Sequence, residues 1–224
     1  MGLVGNTNQN TYIQTFKGMF TIKVPEGTEG ATKRENKNGK VVHEIQFNKL
    51  TGFLLGIKNR ETEDYGIRTQ FHIYNEEDDK DAILETKRGS NLYSAIVNRL
   101  PNLNLKKPFE IVSKYNSDKE RSYYFVNQDG KEVEDKFQTY DKESNEWNLH
   151  HGFPAWEQIT VKGEKVWDNT KQVEFQEDVI ETLMPDIKAT KKAWEKKQEA
   201  KAPAVSEEPE YEEDEADSGE PSWK

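Results

Sequence analysis

A mainly β fold is predicted by three observations. Short segments alternate apolar with polar residues, one segment between them has helical spacing, and the acidic excess collects at the C-terminal end. The chain has 224 residues, of which 33% are charged and 33% hydrophobic, so part of its length is expected to stay unburied. The polar residues 1–16 read as a flexible arm without the basic start and apolar run of a secretory signal.

From Lys17 onward, strand signals recur. Met19–Val24 places Phe20, Ile22 and Val24 on one side, Lys40–Asn48 offers Val41, Ile45 and Phe47, and Thr51–Lys58 gives Phe53, Leu55 and Ile57. Tyr65–Tyr74 alternates most cleanly: Tyr65, Ile67, Thr69, Phe71 and Ile73 share one face, and Arg68, Gln70, His72 and Tyr74 the other. Pro25-Glu26-Gly27, Asn38-Gly39 and the acidic run 75–79 supply turns. The period changes over Ser90–Leu100, where Leu92, Tyr93, Ile96, Val97 and Leu100 fit a helix capped by Ser90 and stopped by Pro101. Strands resume at Phe109–Tyr115 and Arg121–Gln128. Strands, one helix, then two strands is the order of a five-stranded OB-fold barrel, expected over residues 17–135.

Residues 136–171 are expected to add a hairpin, with Ile159-Thr160-Val161 and Lys165-Val166-Trp167 flanking Lys162-Gly163-Glu164. Trp147, Phe153, Trp156 and Trp167 would pack it against the barrel. Residues 172–201 read as a C-terminal helical segment: Phe175, Val179, Ile180 and Leu183 form an amphipathic stretch that Pro185 interrupts, then a lysine-rich helix or linker follows. Residues 202–224 have too little apolar surface to offset ordering entropy and are expected to be disordered. This tail holds nine acids and one lysine, which leaves 33 acids against 31 bases in the rest of the chain. The body is therefore nearly neutral, and the net charge of −10 resides mostly in the tail.

Several function classes are disfavoured. The absence of cysteine excludes disulfides, thiol catalysis and cysteine-ligated zinc. No segment matches a phosphate-binding glycine loop, and no apolar run approaches membrane-spanning length. His150 and His151 are neighbours and would point apart on a strand, while Glu76, Glu77, Asp78 and Asp79 read as a solvated turn. No enzyme activity, cofactor or metal is expected.

What remains is a surface. Lys58, Arg60, Arg68, His72, Lys114 and Arg121 lie among Tyr65, Tyr74, Tyr123 and Tyr124 on strands of the expected barrel, although the parity of Tyr65 places it with the core residue Ile67. Cations meet phosphates and release counterions, and flat rings stack on unpaired bases without reading sequence. Five such phosphate contacts predict a slope of log K against log salt near about −3.5. The tail offers a second feature: Glu212, Glu213, Asp214, Glu215 and Asp217 precede Trp223, a pattern suited to steering and anchoring a docking peptide. Its acids also resemble a phosphate backbone, so the tail could compete for the protein's own groove.

Gly52-Phe53-Leu54-Leu55-Gly56-Ile57 followed by Glu63-Asp64-Tyr65-Gly66, and Leu100-Pro101-Asn102-Leu103 ahead of Lys107-Pro108-Phe109-Glu110-Ile111, resemble bacteriophage single-stranded DNA-binding proteins. The likeness continues through Tyr124-Phe125-Val126-Asn127-Gln128-Asp129-Gly130-Lys131 and from Pro154-Ala155-Trp156-Glu157 to Val166-Trp167-Asp168, covering residues 17–187. The resemblance implies an OB-fold protein that coats unpaired DNA in phage replication, recombination and repair, in the cytoplasm of an infected bacterial host. It implies an acidic tail that recruits a phage DNA polymerase, helicase or primase. Related tails end on an aromatic residue, whereas Lys224 follows Trp223 here, which leaves the docking partner open. Two other readings stand beside it: a protein-interaction adaptor of OB type that binds no DNA, and an acidic DNA mimic, which the near-neutral body disfavours. A homodimer is compatible with the sequence.

Overall fold

A computed structural model describes residues 11–36, 38–63, 66–76 and 80–201. It is mainly β. Ten strands form one sheet: β1 (Thr11–Phe16), β2 (Met19–Val24), β3 (Thr32–Glu35), β4 (Val41–Phe47), β5 (Lys49–Thr62), β6 (Gly66–Asn75), β7 (Lys80–Lys87), β8 (Phe109–Asn116), β9 (Arg121–Gln128) and β10 (Lys131–Glu132). Their order is β10-β9-β8-β5-β6-β7-β1-β2-β4-β3. Helix α1 (Asn91–Val97) and a 3-10 turn at Leu100–Asn102 stand between β7 and β8. Two separate hairpins follow, β11 (Gln138–Asp141) with β12 (Glu146–Leu149) and β13 (Glu157–Val161) with β14 (Glu164–Asp168), before helix α2 (Thr170–Lys201).

The long strand β5 organises the sheet. It pairs with β8 through Lys49–Gly52 and with β6 from Phe53 to Thr62. A bulge near Leu54 and Gly56 slips one residue between them, so Leu54 and Leu55 are both buried. The expected strand-helix-strand order is present, with β5, β6 and β7 before α1 and β8 and β9 after it. Ser90 caps α1 as expected, its Oγ accepting from the Tyr93 amide at 3.3 Å.

The expected five-stranded closed barrel is not formed, because no ladder joins the two ends of the sheet among the described residues. The reason lies in residues 11–16, which were expected in a loose arm. They form β1, take the free edge of β7 in parallel, and continue into β2 and β4. Ile13 of β1 is buried in the core, and that burial offsets the cost of ordering the segment. The sheet curls instead until side chains meet. Gly18, at φ +74° in the β1–β2 turn, lies so close to β8 that a Cβ there would stand 2.8 Å from Cβ of Tyr115. The Phe20 ring lies 6.4 Å from that of Tyr124 on β9.

Phe20, Phe71, Ile73, Leu84, Tyr93, Ile96, Ile111 and Val126 form the centre of the core. Within the sheet, the buried Glu44 carboxylate is matched by two hydrogen bonds from the Arg34 guanidinium, at 2.6 and 2.7 Å, so its charge is not left uncompensated. Beyond the sheet, Phe137, Phe153 and Phe175 pack together with centroids 5.0–5.6 Å apart and anchor the start of α2. This corrects the expected tryptophan cluster: Trp147, Trp156 and Trp167 are exposed, and residues 136–171 make two hairpins and not one.

Pro185 does not interrupt α2, contrary to the sequence reading. A helix-interior proline costs about 3 kcal/mol. Leu183 and Met184 before it and Ile187 after it all pack on the core, and that burial holds the helix through the proline. The lysine-rich stretch beyond Lys188 is helical too. No helix among the described residues is long and apolar enough to cross a membrane.

Candidate nucleic-acid interface

Strand register decides which residues share the outward surface. On β8 and β9, Ile111, Ser113 and Val126 are buried, so the opposite parity faces out. Val112 stands opposite Phe125, Lys114 opposite Tyr123, and Asn116 opposite Arg121. Lys114 Nζ lies 5.2 Å above the Phe125 ring, and Tyr123 is 42% exposed beside it. On β5, Lys49 and Thr51 continue the same face opposite Val112 and Glu110, and Lys49 forms an ion pair with Glu110. The result is an open strip of sheet with three cations, Lys49 paired with Glu110 and then Lys114 and Arg121, and two rings, Tyr123 and Phe125. The turn at its end carries Asp118 and Glu120 beside Lys119.

This strip brings together three residues singled out from the sequence: Lys114, Arg121 and Tyr123. Phe125 was missed, although its two-residue spacing from Tyr123 on a strand was the signal. Tyr124 is corrected. It has the parity of Val126, points inward and packs against Phe20, so it is no stacking surface.

The outward face of β6 is not open, which is the main correction to the expected trough. The distal part of α2 lies over it. Tyr74 is 3% exposed, its ring 4.7 Å from that of Trp194, and Gln198 Nε2 donates to its hydroxyl at 3.0 Å. Lys197 pairs with Glu76 just beyond. Tyr74 therefore cannot stack on a base while α2 is in place. Arg68 is drawn to Glu85 of β7 at 3.2 Å, and Gln70 donates to the same carboxylate at 3.0 Å. Lys58 and Arg60 remain exposed on β5, opposite Gln70 and Arg68. Tyr65 and the tail residues Glu212, Glu213, Asp214, Glu215, Asp217 and Trp223 lie outside the described residues.

His72 lies between these surfaces. Burial, then Lys191 of α2 and Lys58 of β5, hold its pKa below the ordinary histidine value, against an opposing pull from Asp81. The unfolded chain therefore takes up this proton more readily than the folded one, so the neutral ring's contribution to stability is present above about pH 6.5 and lost as pH falls through the lower folded value. Chemical denaturation from neutral to mildly acidic pH should show wild type losing more stability than His72→Gln; parallel curves would remove His72 from the balance.

Among the described residues, no group of three or more histidines or carboxylates is placed to hold a metal ion. His150 Nε2 lies 2.9 Å from the Thr139 hydroxyl, and His151, at φ +56° in a turn, meets the edge of Phe137. Comparison with family models, with curated proteins and with solved structures gave no match.

Proposed function

We propose that this protein binds single-stranded DNA largely without sequence preference, on an OB-like unit formed by β5–β9 and α1. The observation that carries the reading is the pairing of Lys114 with Tyr123 on the open β8–β9 face, where Phe125 and Arg121 extend the strip. Cations there are positioned for phosphates, and exposed rings offer stacking worth about 1–3 kcal/mol per base. The phage single-strand binders that the sequence resembles supply the biological setting: coating of unpaired DNA during replication, recombination and repair, with the acidic tail recruiting a polymerase, helicase or primase.

Lys58, Arg60, Lys114 and Arg121 are the exposed cations of the proposed path. Four phosphate contacts give a slope of log K against log salt near about −2.8, shallower than the sequence alone suggested because Arg68 is engaged by Glu85. Anisotropy titration of labelled oligothymidylate at several salt concentrations reads the slope. Binding that ignores salt, or no binding at low salt, overturns the proposal.

One observation favours a second reading. The β13–β14 hairpin exposes Ile159, Val161 and Val166, and Trp167 is 63% exposed. An isolated two-stranded hairpin is marginal in water, so such a surface suits a protein partner. A protein-interaction adaptor would use it and bind no DNA, and the same titration separates the two.

A further inference from the structure

Between the distal part of α2 and the outward face of β5–β7 lies a cavity of about 360 Å³. Small-ligand sites begin near about 300 Å³. Its floor is apolar, with the buried Leu55 and Ile83, and its rim carries Lys58, His72 and Lys191, with Asp81 at one side. Trp194 forms part of the roof, and its indole N–H is buried without a hydrogen-bond partner among the described residues. An unpaired buried donor of this kind costs about 1–3 kcal/mol, and an acceptor entering the cavity would relieve it.

Gly56 is the second indication. A glycine inside a strand weakens it by roughly 0.5–1 kcal/mol. At Gly52 the reason is packing, since a Cβ would stand 2.4 Å from the Tyr74 carbonyl oxygen. No such contact constrains Gly56: the nearest atom to a Cβ there is Cβ of His72 at 3.8 Å, and the residue lines the cavity. A strand glycine marks a bulge or a place where a ligand or another backbone comes close, and Gly56 stands at both the β5 bulge and the cavity wall. The bare backbone at 56 keeps the cavity open.

We propose that this cavity takes one nucleotide of the bound strand, its base between the Trp194 indole and the apolar floor and its phosphate toward Lys58 and Lys191. The inference rests on the single-strand-binding reading and extends it: the path continues from the β8–β9 strip along β5 and passes beneath α2. The helix that closes the β6 face thereby becomes one wall of the site. Lys191 also stands 3.6 Å from Glu195, an exposed pairing that a phosphate can replace.

The test compares oligothymidylate binding by the full chain, Gly56→Leu and Lys191→Glu. Leucine at 56 fills the cavity without removing a charge. It should weaken binding about tenfold, the size of one lost base stack, with the melting temperature retained. Lys191→Glu, half-exposed at the cavity rim, should weaken binding and lower the salt slope, and it keeps the test available if Gly56→Leu does not fold. Wild-type binding with either folded variant equal to it overturns the cavity and leaves the β8–β9 reading intact. Failure of the wild-type chain to bind at low salt overturns the underlying reading, and the cavity with it.

Discussion

Reversing Lys114 and Arg121 together to Glu should raise the dissociation constant for oligothymidylate about 100- to 1000-fold at low salt. Each reversal replaces an attraction to phosphate with a repulsion, and near 4 Å in water each of these is about 1 kcal/mol. Two reversals thus remove about 3–4 kcal/mol, and the salt slope should lose about two contacts' worth, or about 1.4. Both side chains are exposed on strand faces that make no core contact, so stability should stay within about 0.5 kcal/mol of wild type. Thermal melting monitored beside the titration checks this. A doubly reversed protein that binds DNA as before would place the interface somewhere other than β8–β9.

The largest stability effect is expected at Phe20. Its ring is wholly buried, 5.7 Å from Phe47 and 6.4 Å from Tyr124. Truncating a buried phenylalanine costs about 3–5 kcal/mol through lost transfer energy and the cavity left behind. For a chain of this size that corresponds to a fall in melting temperature of about 6–20 °C. The position matters beyond its size, since no ladder closes the sheet among the described residues and Phe20 is one of the side chains that span the gap to β9. Phe20→Ala should therefore increase amide exchange in β9, whose outer ladder is the two-residue β10, more than in β6, which has long ladders on both sides. Equal exchange in the two strands would mean that the curl is held by other contacts.

How much of this was readable beforehand varied by element. β2, β4, β6, β8, β9 and α1 follow from periodicity because each has one face on the core and one in a different medium. β7 escaped notice for the opposite reason: Ala82, Ile83 and Leu84 are buried in succession, with the sheet's core on one side and the α2 cavity on the other, so nothing alternates. β1 was hidden by its polar composition, since Ile13 alone enters the core and its place between β2 and β7 depends on a strand far along the chain. Pro185 misled because the local cost of a proline is visible in sequence, whereas the burial of Ile187 that outweighs it is not.

The same division holds for the candidate interface. Residue type and strand parity, both local properties, were enough to put Lys114, Arg121 and Tyr123 on one surface. Whether a surface is open is set by what packs on it from elsewhere. Tyr74 and Tyr123 look alike in sequence, yet one lies beneath Trp194 and the other in solvent, because α2 docks along β5 and β6 and stops short of β8 and β9. The sequence by itself determined the mainly β character, the single helix between strands and the separation of the acidic excess from a near-neutral body. Tertiary packing alone decided that the sheet curls without closing and that the β6 face is roofed by α2, since contacts between residues more than a hundred positions apart leave no periodic trace in the chain.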